Sequence, residues 1–394
     1  MKNTNYSPEN TPVVVSCCRT AIGRSDSSEG VFRKVRGDEL GAFVVKEAVA
    51  RSGVSPDHIE EVVVGVTQQR GELGGNVARS VGLLAGLPTS AAASTTNRLC
   101  GSSLQGVAQA CHSIMAGAED VHVVAGGEHM QHLPMDSEID FHPRSFSGSS
   151  RAVLSMGLTA EYLAASRGIS RRLQEEYALE SHRRATHATE TGFFKKEIIA
   201  CPGLNIDGVF TVVDRDQSIR SDTSLAAMDR LSPAFLPRIG SVTAATSAPL
   251  SDGAAAMVVM SEAAARRLGL TPLVRVVSTA VVGVSPALMG LGPVYATRKV
   301  LHRSGIDLRE IEIIELNEAF AVQVLACMNE LELSHEVVNI HGGSLAIGHP
   351  LGASGVRIAT TLIHTMRDRH ARLGLATMCI GFGQGIAVIF ELVE

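Results

Sequence analysis

The chain has no tryptophan, no Cys-x-x-Cys pair and no basic run long enough to lie along a nucleic acid or a membrane surface. With 35 Lys and Arg against 40 Asp and Glu, the net charge is a mild -5. That balance excludes an extended polyanion as partner but leaves room for a local arginine pocket holding a phosphate. The seven cysteines, at 17, 18, 100, 111, 201, 327 and 379, are odd in number and few for 394 residues. A reduced, cytoplasmic protein is therefore expected, with neither a disulfide framework nor a cysteine-based zinc site. An apolar leader is also lacking, since Met1 to Thr11 is polar and contains proline, and it reads as a frayed tail. Two charge-free stretches reach membrane length, Val276 to Thr297 and Leu373 to Phe390. Prolines interrupt the first and glycines the second, so both read as buried strands joined by turns, and no membrane insertion is expected.

What the chain does have is 45% hydrophobic residues, 19% charged residues and 38 glycines, the profile of a compact globular protein with many tight turns. Its length exceeds one ordinary domain. An internal repeat sets the expected architecture. Thr11 to Gly23 parallels Thr271 to Gly283, each an apolar, β-branched run. In the same order, Arg51-Ser-Gly-Val followed by Ile59 to Val64 matches Arg303-Ser-Gly-Ile followed by Ile311 to Leu316. Next, the helix after Cys100 and the strand Val121 to Ala125 match the helix from Ser354 to about Met366 and the strand Leu375 to Ile380. Two similar halves are expected, 1–129 completed by 249–270 and 271–394, each alternating strand and helix in mostly parallel sheets. Residues 130–248 are richer in charge and in Ser/Gly/Pro clusters such as Ser145 to Ser150, with one well-marked helix, Ser170 to about Thr191. They read as an inserted, loop-rich, substrate-binding lobe.

The candidate nucleophile is Cys100, in Asn97-Arg-Leu-Cys-Gly-Ser-Ser103 between the strand Ala91 to Thr96 and a helix whose apolar residues run from Leu104 to Met115 before Gly117 stops it. Free N–H groups and the macrodipole at a helix start favour thiolate, scarce at an ordinary pKa of about 8.5. Position alone favours an inert core thiol, since free cysteines are mostly buried and unreactive. The second half supplies partners. In Asn339-Ile-His-Gly-Gly-Ser-Leu-Ala-Ile-Gly-His-Pro-Leu-Gly-Ala-Ser-Gly355, His349 falls almost opposite Cys100 in the repeat, so a pseudo-twofold packing would pair imidazole with thiol. Cys379 precedes the turn Gly381-Phe-Gly-Gln-Gly385, and Asn317-Glu-Ala-Phe320 follows a strand, both at the carboxyl ends where open α/β sheets bind ligands. A strand, not a helix, follows the Gly381 turn, which rules out a dinucleotide fingerprint. Glu128-His-Met-Gln-His132 is not His-Glu-x-x-His, and no metal is expected.

These blocks, Asn97–Ser103, Asn317–Ala321, Gly342–Gly355 and Cys379–Gly385, resemble the signatures of the thiolase family from about Val13 to the C-terminus. The chain is most similar to the family's bacterial fatty-acid-oxidation branch, the 3-ketoacyl-CoA thiolases, through Gly127–Met130, Asp140–Pro143, Met156–Glu161 and Arg171 onward. The resemblance implies a five-layered αβαβα fold of duplicated βαβ halves with an inserted loop domain. It also implies that Cys100 attacks the 3-keto carbonyl while His349 takes its proton, and that acetyl-CoA leaves as an enolate protonated by Cys379. Coenzyme A, a co-substrate, then collects the shortened acyl chain. Two oxyanion holes are implied, one of His349 with a water held by Asn317, the other of the Cys100 and Gly381 backbone N–H groups. Coenzyme A contacts are implied for Arg220, Ser247, Met156 and Ala248. The loop Thr243–Asp252 departs from the family pattern, with Ala245 where glycine is usual and Ala248 where a serine often meets the pantetheine, so that Ser247 would supply the hydroxyl. Asn339-Ile-His341 departs from the usual Asn-x-Asn. A homodimer or dimer of dimers, associating with a hydratase/dehydrogenase chain, is also implied. Competing readings are an acetoacetyl-CoA thiolase working in the biosynthetic direction, a ketoacyl synthase-like condensing enzyme, which would not normally carry Cys379, and a non-catalytic acyl-CoA or sterol carrier, which would not need Cys100 or His349.

Overall fold

The computed structural model describes residues 8–135, 139–146 and 150–393. The tail read as frayed lies outside them up to residue 7, while Pro8–Asn10 forms a 3-10 turn. The first half runs β1 (Pro12–Thr20), α1 (Gly37–Ser52), β2 (Glu61–Gly65), α2 (Val77–Leu84), β3 (Ala92–Thr96), α3 (Ser102–Ala116) and β4 (Val121–His129). After the insert, β5 (Ser251–Ser261) returns to the same sheet. The insert holds two long helices where the sequence marked one, α4 (Met156–Arg167) and α5 (Arg171–Glu190). The second half runs β6 (Val274–Gly283), α6 (Gly292–Ser304), β7 (Ile313–Leu316), α7 (Ala321–Leu331), α8 (Ser354–Arg369), β8 (Leu373–Ile380) and β9 (Gln384–Leu392). The uncharged Val276–Thr297 stretch is thus a strand that passes through a 3-10 turn into a helix, not two strands. Among the described residues no helix is long and apolar enough to cross a membrane.

The main strands share one sheet in the order β7-β8-β9-β6-β1-β5-β4-β2-β3. Its middle bond is a short antiparallel pairing of β1 with β6, Val13 opposite Arg275 and Val14 opposite Val274. Outward from that seam the halves repeat each other, β1-β5-β4-β2-β3 against β6-β9-β8-β7, and a parallel bridge from Ile314 to Val338 stands where β3 stands in the first half. Pairing is mixed rather than mostly parallel. β2 runs parallel to β3 and β4, and β7 parallel to β8, because helices carry those crossovers. β5 enters antiparallel to both β1 and β4, and β9 folds back antiparallel on β8 through the short Gly381–Gly383 turn.

Helices α3 and α8 lie between the halves and form the middle layer, while α1 and α6 cover the outer faces. Small residues permit this central crossing. A Cβ on Gly65 would collide with the Ser103 backbone, and one on Gly355 with the Leu104 backbone. The Val356 N–H donates to Ser103 Oγ at 3.0 Å across the crossing. Leu104, Val107 and Ile114 of α3 pack with Val356, Ile358 and Leu362 of α8 in one apolar cluster. Both helix starts are thereby brought to one end of the sheet, beside the last residues of β7 and β8.

Candidate active site

The nucleophile loop is a tight elbow. Leu99 adopts a left-handed φ of 46°, unusual for a branched side chain and costing about 1–2 kcal/mol. Hydrogen bonds hold it there: Asn97 Oδ1 accepts from the Leu99 N–H at 2.9 Å, and Ser102 Oγ accepts from the Arg98 N–H at 2.9 Å while donating to the Leu99 carbonyl at 2.5 Å. Arg98 reaches across to Gln384 Oε1 at 2.7 Å, tying this loop to the start of β9. A Cβ on Gly101 would fall 2.6 Å from the Ile380 side chain, so the elbow abuts the end of β8. Cys379 and Gly381 flank that contact residue.

Cys100 remains partly open to solvent, and the Gly381 backbone N–H and its own N–H both point at its sulfur. Burial nevertheless outweighs these donors and pushes the thiol up to about 11. The N–H groups favour thiolate, as the helix start implies, but desolvation by the surrounding walls opposes the charge more strongly, so the resting group is a neutral thiol. Cys379 is buried and raised well above its ordinary value, first by burial and then by the neighbouring Cys100.

His349 is placed by Gly348, whose φ of 118° no β-carbon tolerates well and whose Cβ would meet Ser251 Oγ at 2.5 Å. The His349 N–H donates to that Ser251 Oγ at 3.1 Å. On the ring, Nδ1 meets Ser354 Oγ at 2.6 Å, and Ser354 donates onward to the Pro350 carbonyl at 3.1 Å. Ser354 thus accepts from an Nδ1–H, leaving the Nε2 lone pair free, 3.4 Å from Asn317 Nδ2. Burial, aided by the Arg357 charge, holds this imidazole down to about 3, so it is neutral at pH 7 and able to take a proton. Asn317 Oδ1 accepts from Ser344 at 2.7 Å. Beside it, the Glu318 carboxylate accepts from Tyr177, Ser181, Asn339 and the Leu345 N–H at 2.7–3.1 Å, fixing the glycine loop to α5. Asn339 fills its left-handed position, φ 48°, with a side chain that pairs both backbone groups of Leu316. His341, at the other departure from the usual motif, stacks on Phe193 with ring centroids 3.6 Å apart.

Glu128 clamps the two halves. Its carboxylate accepts from the Thr67 N–H and hydroxyl, the Gln68 N–H and the Gly352 N–H at 2.6–3.2 Å, so the loop bearing His349 is bonded to the first half. The chain segment after it brings Glu72, His129 and His132 within 4.8 Å of one another. The two imidazoles are stacked 3.7 Å apart at 11°, so their lone pairs run side by side instead of converging as metal ligands do. Their Nε2 atoms face the Phe32 and Arg33 carbonyls.

A cleft of about 370 Å³ opens beside the glycine loop, lined among others by Arg24, His182, Arg220, Thr223, Ser247 and Leu345. Two arginines and no carboxylate line it. Arg220 and Ser247, for which coenzyme A contacts are expected, both line this cleft, and the Ser247 hydroxyl is engaged with the Thr243 carbonyl at 2.8 Å. Ala248 and Met156 are not in its lining. Ala248 bonds the Ala319 carbonyl, and Met156 packs its sulfur near Gly381. Ser344, Ser354 and Arg357, which hydrogen-bond behind Asn317 and His349, carry no chemical motif of their own in the sequence. Hydroxyls recurring in a loop of glycine and apolar residues were the available signal.

Comparison with known proteins agrees over nearly the whole length. Residues 12–263 match the model of the thiolase N-terminal domain and residues 270–392 that of the thiolase C-terminal domain. The 3-ketoacyl-CoA thiolase of Pseudoalteromonas translucida is 49% identical over 389 residues, covering 98% of this chain and 100% of that protein. That of Vibrio cholerae is 49% identical over 386 residues, covering 97% and 99%. Human mitochondrial 3-ketoacyl-CoA thiolase in complex with CoA superposes with a TM-score of 0.88 at 34% identity, covering 98% of each chain. A Bacillus anthracis acetyl-CoA acetyltransferase superposes equally well, TM-score 0.88 at 35% identity, covering 97% of this chain and 99% of that one. With the duplicated halves, the paired helix starts and both domain models accounted for, this chain belongs to the thiolase family.

Proposed function

We propose that this protein is a 3-ketoacyl-CoA thiolase, cleaving 3-ketoacyl-CoA with coenzyme A to acetyl-CoA and an acyl-CoA two carbons shorter, in fatty-acid β-oxidation. The observation carrying this reading is the meeting of two thiols, a neutral imidazole and an amide at one end of the sheet. Gly101 abuts Ile380 between Cys379 and Gly381, the Asn317 N–H donates to the Thr377 carbonyl at 3.0 Å two residues before Cys379, and Asn317 Nδ2 lies 3.4 Å from His349 Nε2.

Cys100 attacks the 3-keto carbon as His349 Nε2 removes its proton, so a resting thiolate is not needed. The oxygen of the tetrahedral adduct meets the Cys100 and Gly381 N–H groups, and losing one such donor costs about 3–4 kcal/mol. The C–C bond then breaks toward the thioester, whose enolate oxygen is held by His349 and a water on Asn317. Cys379 gives the carbon its proton. Coenzyme A, its thiol proton taken by His349 once the imidazolium has reprotonated Cys379, takes the acyl group from Cys100 as that sulfur regains the proton. Arg24 and Arg220 in the cleft suit the phosphates of coenzyme A, with Ser247 nearby. Met156, against Gly381, borders the acyl group.

Cys379 separates this reading from a ketoacyl synthase-like enzyme, and the intact pair of Cys100 and His349 separates it from a carrier. Unpaired cysteines throughout support a cytoplasmic location. A homodimer or dimer of dimers, with a hydratase/dehydrogenase partner, completes the reading. β3, at the outer end of the sheet and partly exposed, offers an edge for a second copy. Incubation with 3-ketooctanoyl-CoA and coenzyme A should yield acetyl-CoA and hexanoyl-CoA by mass spectrometry, and absence of both products from folded protein would overturn it.

A further inference from the structure

Behind Asn317 lies a buried cation that the catalytic steps do not use. Arg357, on the first turn of α8, is fully buried. Its Nη2 donates to Ser344 Oγ at 2.5 Å, while its Nε and Nη1 have no hydrogen-bond partner among the described residues. Its nearest ion-pair partner, Glu315, is 4.0 Å away. A guanidinium so poorly solvated is costly, and an apolar side chain of like volume would commonly serve the core better. What this one hydrogen bond accomplishes is therefore the question.

It sets a direction. A guanidinium only donates, so it occupies a lone pair on Ser344 and turns the serine hydrogen toward Asn317 Oδ1, 2.7 Å away. The amide is then held with Nδ2 toward His349 Nε2 at 3.4 Å. An asparagine amide is nearly symmetric in shape and can turn over unless its neighbours prevent it. Turned over, it would set its oxygen against the imidazole lone pair and leave no donor for a water or an enolate oxygen.

We propose that Ser344 and Arg357 are positioning residues for the enolate step, forming a one-way relay, Arg357 to Ser344 to Asn317, that keeps the Asn317 amide hydrogens facing the acetyl thioester. This rests on the thiolase reading and deepens it. Neither residue touches substrate. Acyl transfer to Cys100, whose oxyanion is served by backbone N–H groups on the other side of the site, does not depend on the relay.

The test is Ser344→Ala, which removes one oxygen and keeps the Arg357–Glu315 pair, read against Asn317→Ala and the double variant. Solvent exchange of the acetyl-CoA methyl hydrogens and kcat for thiolysis should each fall roughly ten- to hundredfold, as for a modest misplacement of a catalytic group. KM for coenzyme A and acylation of Cys100 by acyl-CoA should hold. The double variant should be no worse than Asn317→Ala alone. Arg357→Lys, retaining the charge but not the fork, should show the same split. Wild-type exchange in Ser344→Ala, multiplied losses in the double variant, or equal loss of exchange and acylation would each overturn the relay. Unimpaired exchange in Asn317→Ala would instead overturn the enolate site itself, and so separate the two failures.

Discussion

Ser354 Oγ stands 2.6 Å from His349 Nδ1, five residues back along the same loop, and this contact decides which ring nitrogen can act as base. With Ser354 hydrogen-bonded onward to the Pro350 carbonyl, it accepts from the ring, and Nε2 keeps its lone pair toward the site. Ser354→Ala should lower kcat roughly ten- to hundredfold, the range found when a partner orienting a histidine is lost. KM for coenzyme A should barely change. Unaltered kcat in a folded variant would show that the tautomer is fixed by something else.

The two thiols should be separable by experiment. Cys100→Ala should abolish thiolysis and the labile thioester formed with acyl-CoA, with the fold intact. Cys379→Ser should lose thiolysis and methyl hydrogen exchange yet still become acylated, because only the carbon proton passes through it. Mass spectrometry after mixing with acyl-CoA reads both. A persistent thioester on Cys100→Ala protein, or wild-type exchange in Cys379→Ser, contradicts this division.

Much of this site was legible in the sequence because the repeat made it so. Aligning the halves put His349 near Cys100, and glycine runs marked the loops ending β7 and β8. What could not be read was everything set by burial. A helix start suggests thiolate, yet desolvation takes Cys100 up to about 11. Mixed strand pairing was hidden as well, since β5 and β9 read as ordinary buried strands whichever way they run. Ser344, Ser354 and Arg357 gained meaning only from neighbours far from any charge pattern.

The raised thiol has a measurable consequence. If Cys100 is a neutral thiol beside an imidazole held to about 3, its alkylation by iodoacetamide should climb with pH and show no plateau below about pH 10. A low-pKa thiolate would instead level off near neutrality. A plateau with a midpoint at or below pH 8 rules out the neutral pair.

Acid stability follows from the same burial. His129, His182, His335 and His341 are held to about 4 and His349 to about 3, each chiefly by desolvation. Below about 6.5 the unfolded chain binds protons that these folded imidazoles refuse, so stability drops as pH falls from there toward 4. Asp252 and Glu315, raised by burial to about 7 and about 8, act in the opposite sense over the same window, because the folded state holds their protons. Histidines outnumber them. The urea midpoint should therefore rise from pH 4.5 to pH 6.5, and a midpoint that is flat or falls across that window would show that the carboxyls dominate.

Chain-length preference turns on the start of α4. Ser155 caps this helix, its Oγ accepting from the Leu158 N–H, and stands half-exposed. Met156, next along, packs its flexible thioether near Leu99 and Gly381, beside the thiol that bears the acyl group. A small polar residue followed by a movable one leaves room for a longer acyl chain. 3-Ketodecanoyl-CoA adds several methylenes to acetoacetyl-CoA, each contributing about 0.8 kcal/mol at most if buried. kcat/KM should therefore be at least as high for the ten-carbon substrate. Ser155→His should narrow the gap by penalising the longer chain. A preference for acetoacetyl-CoA of about tenfold or more, about 1.4 kcal/mol, would make this a dedicated four-carbon enzyme, because any gain from burying a longer acyl chain would then be outweighed in the transition state.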